Sequence, residues 1–82
     1  MKSPTHLALR IGQSRTLLEV ADYAEASRVY SALRDRSGLG VSRLPRGRLY
    51  QGSEQVAEVS YNGRVWEGDT CVFDPQEARR LP

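Results

Sequence analysis

Scarcity sets the first limits. The 82 residues include one cysteine, one histidine and one lysine, and no apolar run approaches the roughly 20 residues of a membrane span. A lone Cys71 cannot close an intrachain disulfide and has no second thiol with which to share a metal, which suits a reducing compartment. The first residues lack the apolar stretch of a secretory signal, so the expected location is the cytoplasm. His6 is near one end and Cys71 near the other, so no spacing suggests a nucleophilic pair. Metal-ligand spacings, phosphate-cradling glycine loops and Gly-x-Ser-x-Gly elbows are also missing. These absences argue against an enzyme and against any cofactor or metal. Charge is nearly balanced, 12 basic against 10 acidic residues for a net +2, which is too little to argue for nucleic acid by itself.

What is present is an ordinary globular composition, 39% hydrophobic and 27% charged, at a length for one domain, residues 1–82, with a thin core. Eleven of the 12 basic residues are arginine, whose planar fork suits carboxylates, phosphates and aromatic faces better than lysine does. No repeat, linker or low-complexity segment interrupts the chain.

The strongest local signal is Asn62-Gly63 between two alternating runs, which reads as a two-residue type I′ hairpin with Tyr61 opposite Arg64. Counting outward, Val59 faces Trp66 and Ala57 faces Gly68, so Tyr61, Val59, Ala57 and Trp66 form the expected core face. Ser60, Val65, Glu58 and Glu67 then fall on the outer face. A preceding strand, joined through a three-residue loop Gly52-Ser53-Glu54, would pair Gln51 with Gln55, Leu49 with Ala57 and Arg48 with Glu58. Arg48, Glu58 and Glu67 would make one cross-strand row in which a cation relieves two carboxylates.

Upstream, Leu7, Leu9 and Ile11 alternate with polar or small residues, and Leu18 and Val20 alternate with Leu17 and Glu19. A four-residue loop, Gly12 to Arg15, sets Leu9 against Leu18 and Leu7 against Val20. Asp22 and Glu25 form a capping-box start, Glu25 reaching back to the amide of Asp22, for a helix ending at Ser37 before a left-handed Gly38. Ala26, Val29, Tyr30 and Leu33 make its apolar stripe. Residues 39–47 read as a loop anchored by Val41 and Leu44. Thr70 to Phe73 can add a short sixth strand, and Asp74-Pro75 can start a final helical turn closing at Leu81. The expected fold is therefore α+β: one antiparallel sheet of about five strands in the order β-β-α-β-β-β, with the helix on one face.

The open face and uncovered edges permit a homodimer and suggest recognition rather than catalysis. The first reading is a non-catalytic protein-binding module, adaptor or inhibitor-like, using Arg48, Tyr50, Val56 and Val65 against an unidentified protein partner. The alternative is single-stranded nucleic acid bound through Arg43, Arg46, Arg48 and Tyr50, as phosphate contact with base stacking requires; Glu58 and Glu67 on the same face argue against it. A solvated, self-compensating sheet face is the third reading. Ser60-Tyr61-Asn62-Gly63-Arg64-Val65-Trp66 resembles the closing hairpin of short uncharacterised bacterial proteins often carried on mobile elements. The resemblance covers little beyond the last half of the chain and implies a small bacterial or phage accessory protein, with no activity attached.

Overall fold

The computed structural model describes residues 7–13, 15–40 and 42–80. Its elements are β1 (Leu7–Ile11), β2 (Leu18–Val20), α1 (Tyr23–Ser37), β3 (Gly47–Gln51), β4 (Glu54–Val59), β5 (Val65–Glu67), β6 (Thr70–Phe73) and α2 (Pro75–Arg80). The strands form one antiparallel sheet in the order β2-β1-β3-β4-β5-β6, six strands where about five were expected. The expectations for His6, for Ser14 in the first loop, for Val41 and for Leu81 lie outside the described residues.

The first hairpin has the register that alternation dictates, Leu7 opposite Val20 and Leu9 opposite Leu18. Helix α1 begins where its cap demands, with Asp22 Oδ1 accepting the Glu25 amide at 2.8 Å. Glu25 departs from the expected box: its carboxylate accepts the amide of Ala21 at 2.6 Å rather than that of Asp22. Gly38, at φ +70°, ends the helix and donates its amide to the Arg34 carbonyl. The core joins Leu9, Val20, Ala26, Tyr30, Leu49, Ala57, Val59 and Val65, with Val29 and Leu44 packed against it. Ser27 is also buried, so the covered helix face is turned slightly from the apolar stripe, toward the hairpin at residues 60–64.

That hairpin departs from the expected register by one residue. Ser60 and Arg64 are hydrogen-bonded across a three-residue loop, and the Gly63 amide donates to the Ser60 carbonyl. Gly63 has φ +88° and no described non-glycine residue has positive φ, so Asn62 does not adopt the type I′ conformation. The loop is an ordinary turn closed by a left-handed glycine. Asn62 Oδ1 serves the turn instead, accepting from the Ser60 hydroxyl at 2.6 Å and the Arg64 amide at 3.3 Å. One extra loop residue reverses the facing of the following strand: Val59 pairs with Val65 and Glu58 with Trp66. Val65, expected on the outer face, is fully buried, and Trp66, expected in the core, lies on the outer face.

The β3–β4 hairpin is also built differently from the expectation, with the same result downstream. Gln51 pairs with Glu54 across a two-residue loop, and a bulge at Val56 restores Leu49 opposite Ala57 and Arg48 opposite Glu58. Val56, expected on the open face, instead packs in part against the core.

The helix is fastened to this sheet by hydrogen bonds to backbone carbonyls. Ser27 Oγ donates to Gly63 at 2.6 Å, Arg34 Nη1 to Tyr61 at 2.7 Å and Tyr30 Oη to Pro45 at 2.9 Å. A Cβ on Gly63 would stand 3.0 Å from Ser31 Oγ and 3.2 Å from Ser27 Oγ, so the missing side chain lets helix and turn approach. Gly47 plays the same part inside the core, where a Cβ would stand 2.8 Å from Leu9 Cδ1 and 3.1 Å from the Tyr30 ring. Gly47→Ala is expected to cost about 1–3 kcal/mol through overpacking, read as a lowered urea midpoint with unchanged slope.

Tyr23 joins the helix start to β5, its hydroxyl donating to Glu67 Oε2 at 2.6 Å. Burial first, then that hydrogen bond and the carboxylate's charge, push its pKa from 10.0 to about 12. Burial also pushes Tyr30 upward, against the opposing charge of Arg34. Both shifts favour the neutral phenol in the fold. For Tyr23 the contribution is full below pH 10 and is lost as pH rises through about 12. Urea midpoints measured across that interval should therefore fall, and fall less steeply in Tyr23→Phe.

Candidate recognition face

The sheet face away from α1 carries the side chains that alternate with the core. Residues Arg10, Arg48, Glu58, Trp66 and Cys71 form one cross-strand row through successive pairings of β1, β3, β4, β5 and β6. The adjoining row runs Glu19, Ala8, Tyr50 and Gln55. Leu17, at the edge, is 57% exposed.

The electrostatics of the first row differ from the expected pattern. Glu58 is opposite Arg48, yet it pairs with Arg46, whose Nη1 is 3.2 Å from Glu58 Oε1. Glu67 is off the row altogether, held by Tyr23 toward the helix. Arg10 and Arg48 are directly opposed across the β1–β3 ladder, and neither forms an ion pair among the described residues. Directly opposed residues have Cβ atoms about 4.5–5.5 Å apart, and like charges so placed destabilise a sheet. Arg10 Nε is enclosed and has no hydrogen-bond partner among the described residues.

Trp66 reaches the same face half-buried, its Nε1 donating to Ser60 Oγ at 3.1 Å. An indole in the core would need a buried acceptor for that N–H, whereas here the turn supplies one. A shallow depression beside it is lined by Leu44, Arg46, Ser60, Tyr61, Asn62 and Trp66. Tyr61 itself is anchored from the other side, donating to the Leu39 carbonyl at 2.9 Å beneath the Arg34 guanidinium, 5.4 Å from its ring centroid.

The expected site residues thus separate. Arg46, Arg48 and Tyr50 share the open face; Val65 is core and Val56 packs against it. Arg43 is exposed in a turn whose Arg43 and Leu44 amides both donate to Gly40, so that turn rather than the sheet holds it. Arg10 and Trp66 were not anticipated. Alternation around Leu9 already points Arg10 away from the core, but its position beside Arg48 depends on β1 pairing with β3, which are separated by β2 and α1. Cys71 is exposed in the same row. Among the described residues, no group of three His, Cys, Asp or Glu converges to hold a metal ion, and no helix is long and apolar enough to cross a membrane.

Ser60→Ala would remove the acceptor of the Trp66 indole and the donor to Asn62. The expected outcome is a loss of about 0.5–1.5 kcal/mol in denaturant unfolding, faster exchange of the indole N–H and red-shifted Trp66 emission. No protein-family model, curated protein or solved structure matches this chain.

Proposed function

We propose that the protein is a non-catalytic protein-binding module whose contact surface is the open face of the sheet. The carrying observation is the convergence on that face of Trp66, Tyr50, Arg10, Arg46 and Arg48, the residue types that dominate interface hot spots, while α1 covers only the opposite face. The aromatic side chains are half-buried, so they offer ring area at little further cost in side-chain entropy. The ladder beneath holds them at fixed spacing.

Single-stranded nucleic acid is the second reading, favoured by one particular change of register. Removal of Glu67 from the face and arrival of Trp66 replace a repelling carboxylate with a stacking ring beside arginines. Glu58 and Glu19 remain on the face, however, and a continuous phosphate backbone crossing it would meet both. A discrete set of contacts from a protein avoids that conflict.

Arg48→Glu and Tyr50→Ala are expected to leave the thermal midpoint within a few degrees of wild type, while abolishing capture of the partner from host lysate. Arg28→Glu, on exposed helix surface, should change neither. Capture that survives both open-face substitutions would defeat the proposal. Saturable oligonucleotide binding, with log affinity falling linearly with log salt, would move the assignment to the second reading.

A further inference from the structure

We infer that the Arg10–Arg48 pair is an anion seat, and that its occupant is a single carboxylate side chain, flanked by apolar residues, on the partner protein. This inference rests on the open-face reading above and specifies the chemistry that the face would recognise.

The ladder opposes two arginine residues, and the nearest carboxylate in the row is engaged by a third arginine. Such an arrangement leaves the pair uncompensated within the described fold. A carboxylate placed between them would accept charge-assisted hydrogen bonds from both forks, turning a repulsive cross-strand contact into a bridged one. The enclosure of Arg10 Nε strengthens the argument, because part of this charge is already removed from water. An anion therefore meets a less screened cation than it would at a freely exposed arginine, and less remains to be desolvated on binding.

The neighbouring residues restrict the kind of anion. Glu19 lies one row away across β1, and Glu58 flanks Arg48 on the other side. They occupy both sides of the pair, which leaves room for one further carboxylate and not for a run of anionic groups. Tyr50, one step along β3 from Leu49, and Trp66, two strands from Arg48, are placed for apolar residues flanking that carboxylate. Strands are about 4.8 Å apart and rise about 3.3 Å per residue, so a short extended peptide with one carboxylate spans the whole group.

The test uses the full chain with nitrogen-15 label, titrated with a blocked peptide carrying one glutamate between leucines, an oligothymidylate of equal length and inorganic phosphate. The expected result is saturable peptide binding that shifts the Nε–H signals of Arg10 and Arg48. Arg10→Gln and Arg48→Gln should each weaken that binding about tenfold with little change in thermal midpoint, and Arg28→Gln should leave it unchanged. Equal shifts at Arg28 and Arg36 would mean general charge screening and overturn the seat. So would oligothymidylate binding without peptide binding, which would identify a nucleic-acid face, or saturation by phosphate alone. If Arg10→Gln and Arg48→Gln leave lysate capture intact while Tyr50→Ala abolishes it, the seat fails and the open-face reading stands. If none of the three affects capture, both fail.

Discussion

The parity of one turn governs what this protein presents to its surroundings. With three residues between Ser60 and Arg64, the strand after the turn directs Val65 inward and Trp66 outward; with two, those roles would exchange. A strand has a side-chain period of two, so no smaller adjustment is possible. The choice is enforced from both sides of the sheet. On the helix side, the space opposite Val59 accepts Val65, and the turn must approach Ser27 and Ser31 closely enough that Gly63 carries no side chain. On the open side, Ser60 accepts the indole proton. Asn62 holds the turn by hydrogen bonding through its side chain, without adopting positive φ.

The helix and the turn stabilise one another through backbone acceptors. Ser27 and Arg34 both donate to carbonyls of the 61–63 loop, while Tyr61 returns a hydrogen bond to Leu39 beyond the helix end. Arg64 extends the set by pairing with Asp74, the residue before α2, at 3.3 Å. Buried carbonyls left without donors would each cost about 1–3 kcal/mol, so this ring of contacts makes the position of α1 and the conformation of the loop a single decision. The tight packing at Gly47, against Leu9 and Tyr30, locks the middle of the helix to the centre of the sheet.

The open face carries features that folding alone does not favour. Two arginines directly opposed across a ladder, an enclosed guanidinium nitrogen without an acceptor among the described residues and an exposed Leu17 all lower stability or solubility. Local conflicts of this kind, in a chain whose caps, turns and core otherwise agree, concentrate where a surface is used for recognition. They accumulate here on the face the helix leaves uncovered.

Much of the fold was legible in the residues themselves. The cap at Asp22, the left-handed Gly38, the apolar alternation of β1 and β2 and the Leu49–Ala57 pairing all follow from short-range chemistry, and each matches the structure. Local chemistry also gave the right total at β4 by a different route, since a two-residue loop plus a bulge at Val56 equals the three-residue loop expected there. What it could not decide was any outcome that depends on a distant surface. Asn62-Gly63 satisfies both a two-residue and a three-residue hairpin, and the helix packed against Gly63 selects between them. Arg10 is visibly outward-facing in its own strand, but becomes the neighbour of Arg48 only because β1 pairs with β3. The chain by itself determined which segments are strands and helices and where the main helix starts and stops, because hydrogen-bond capping and periodicity are local; tertiary packing decided which side chains share the open face, because one residue of register reverses every facing beyond it.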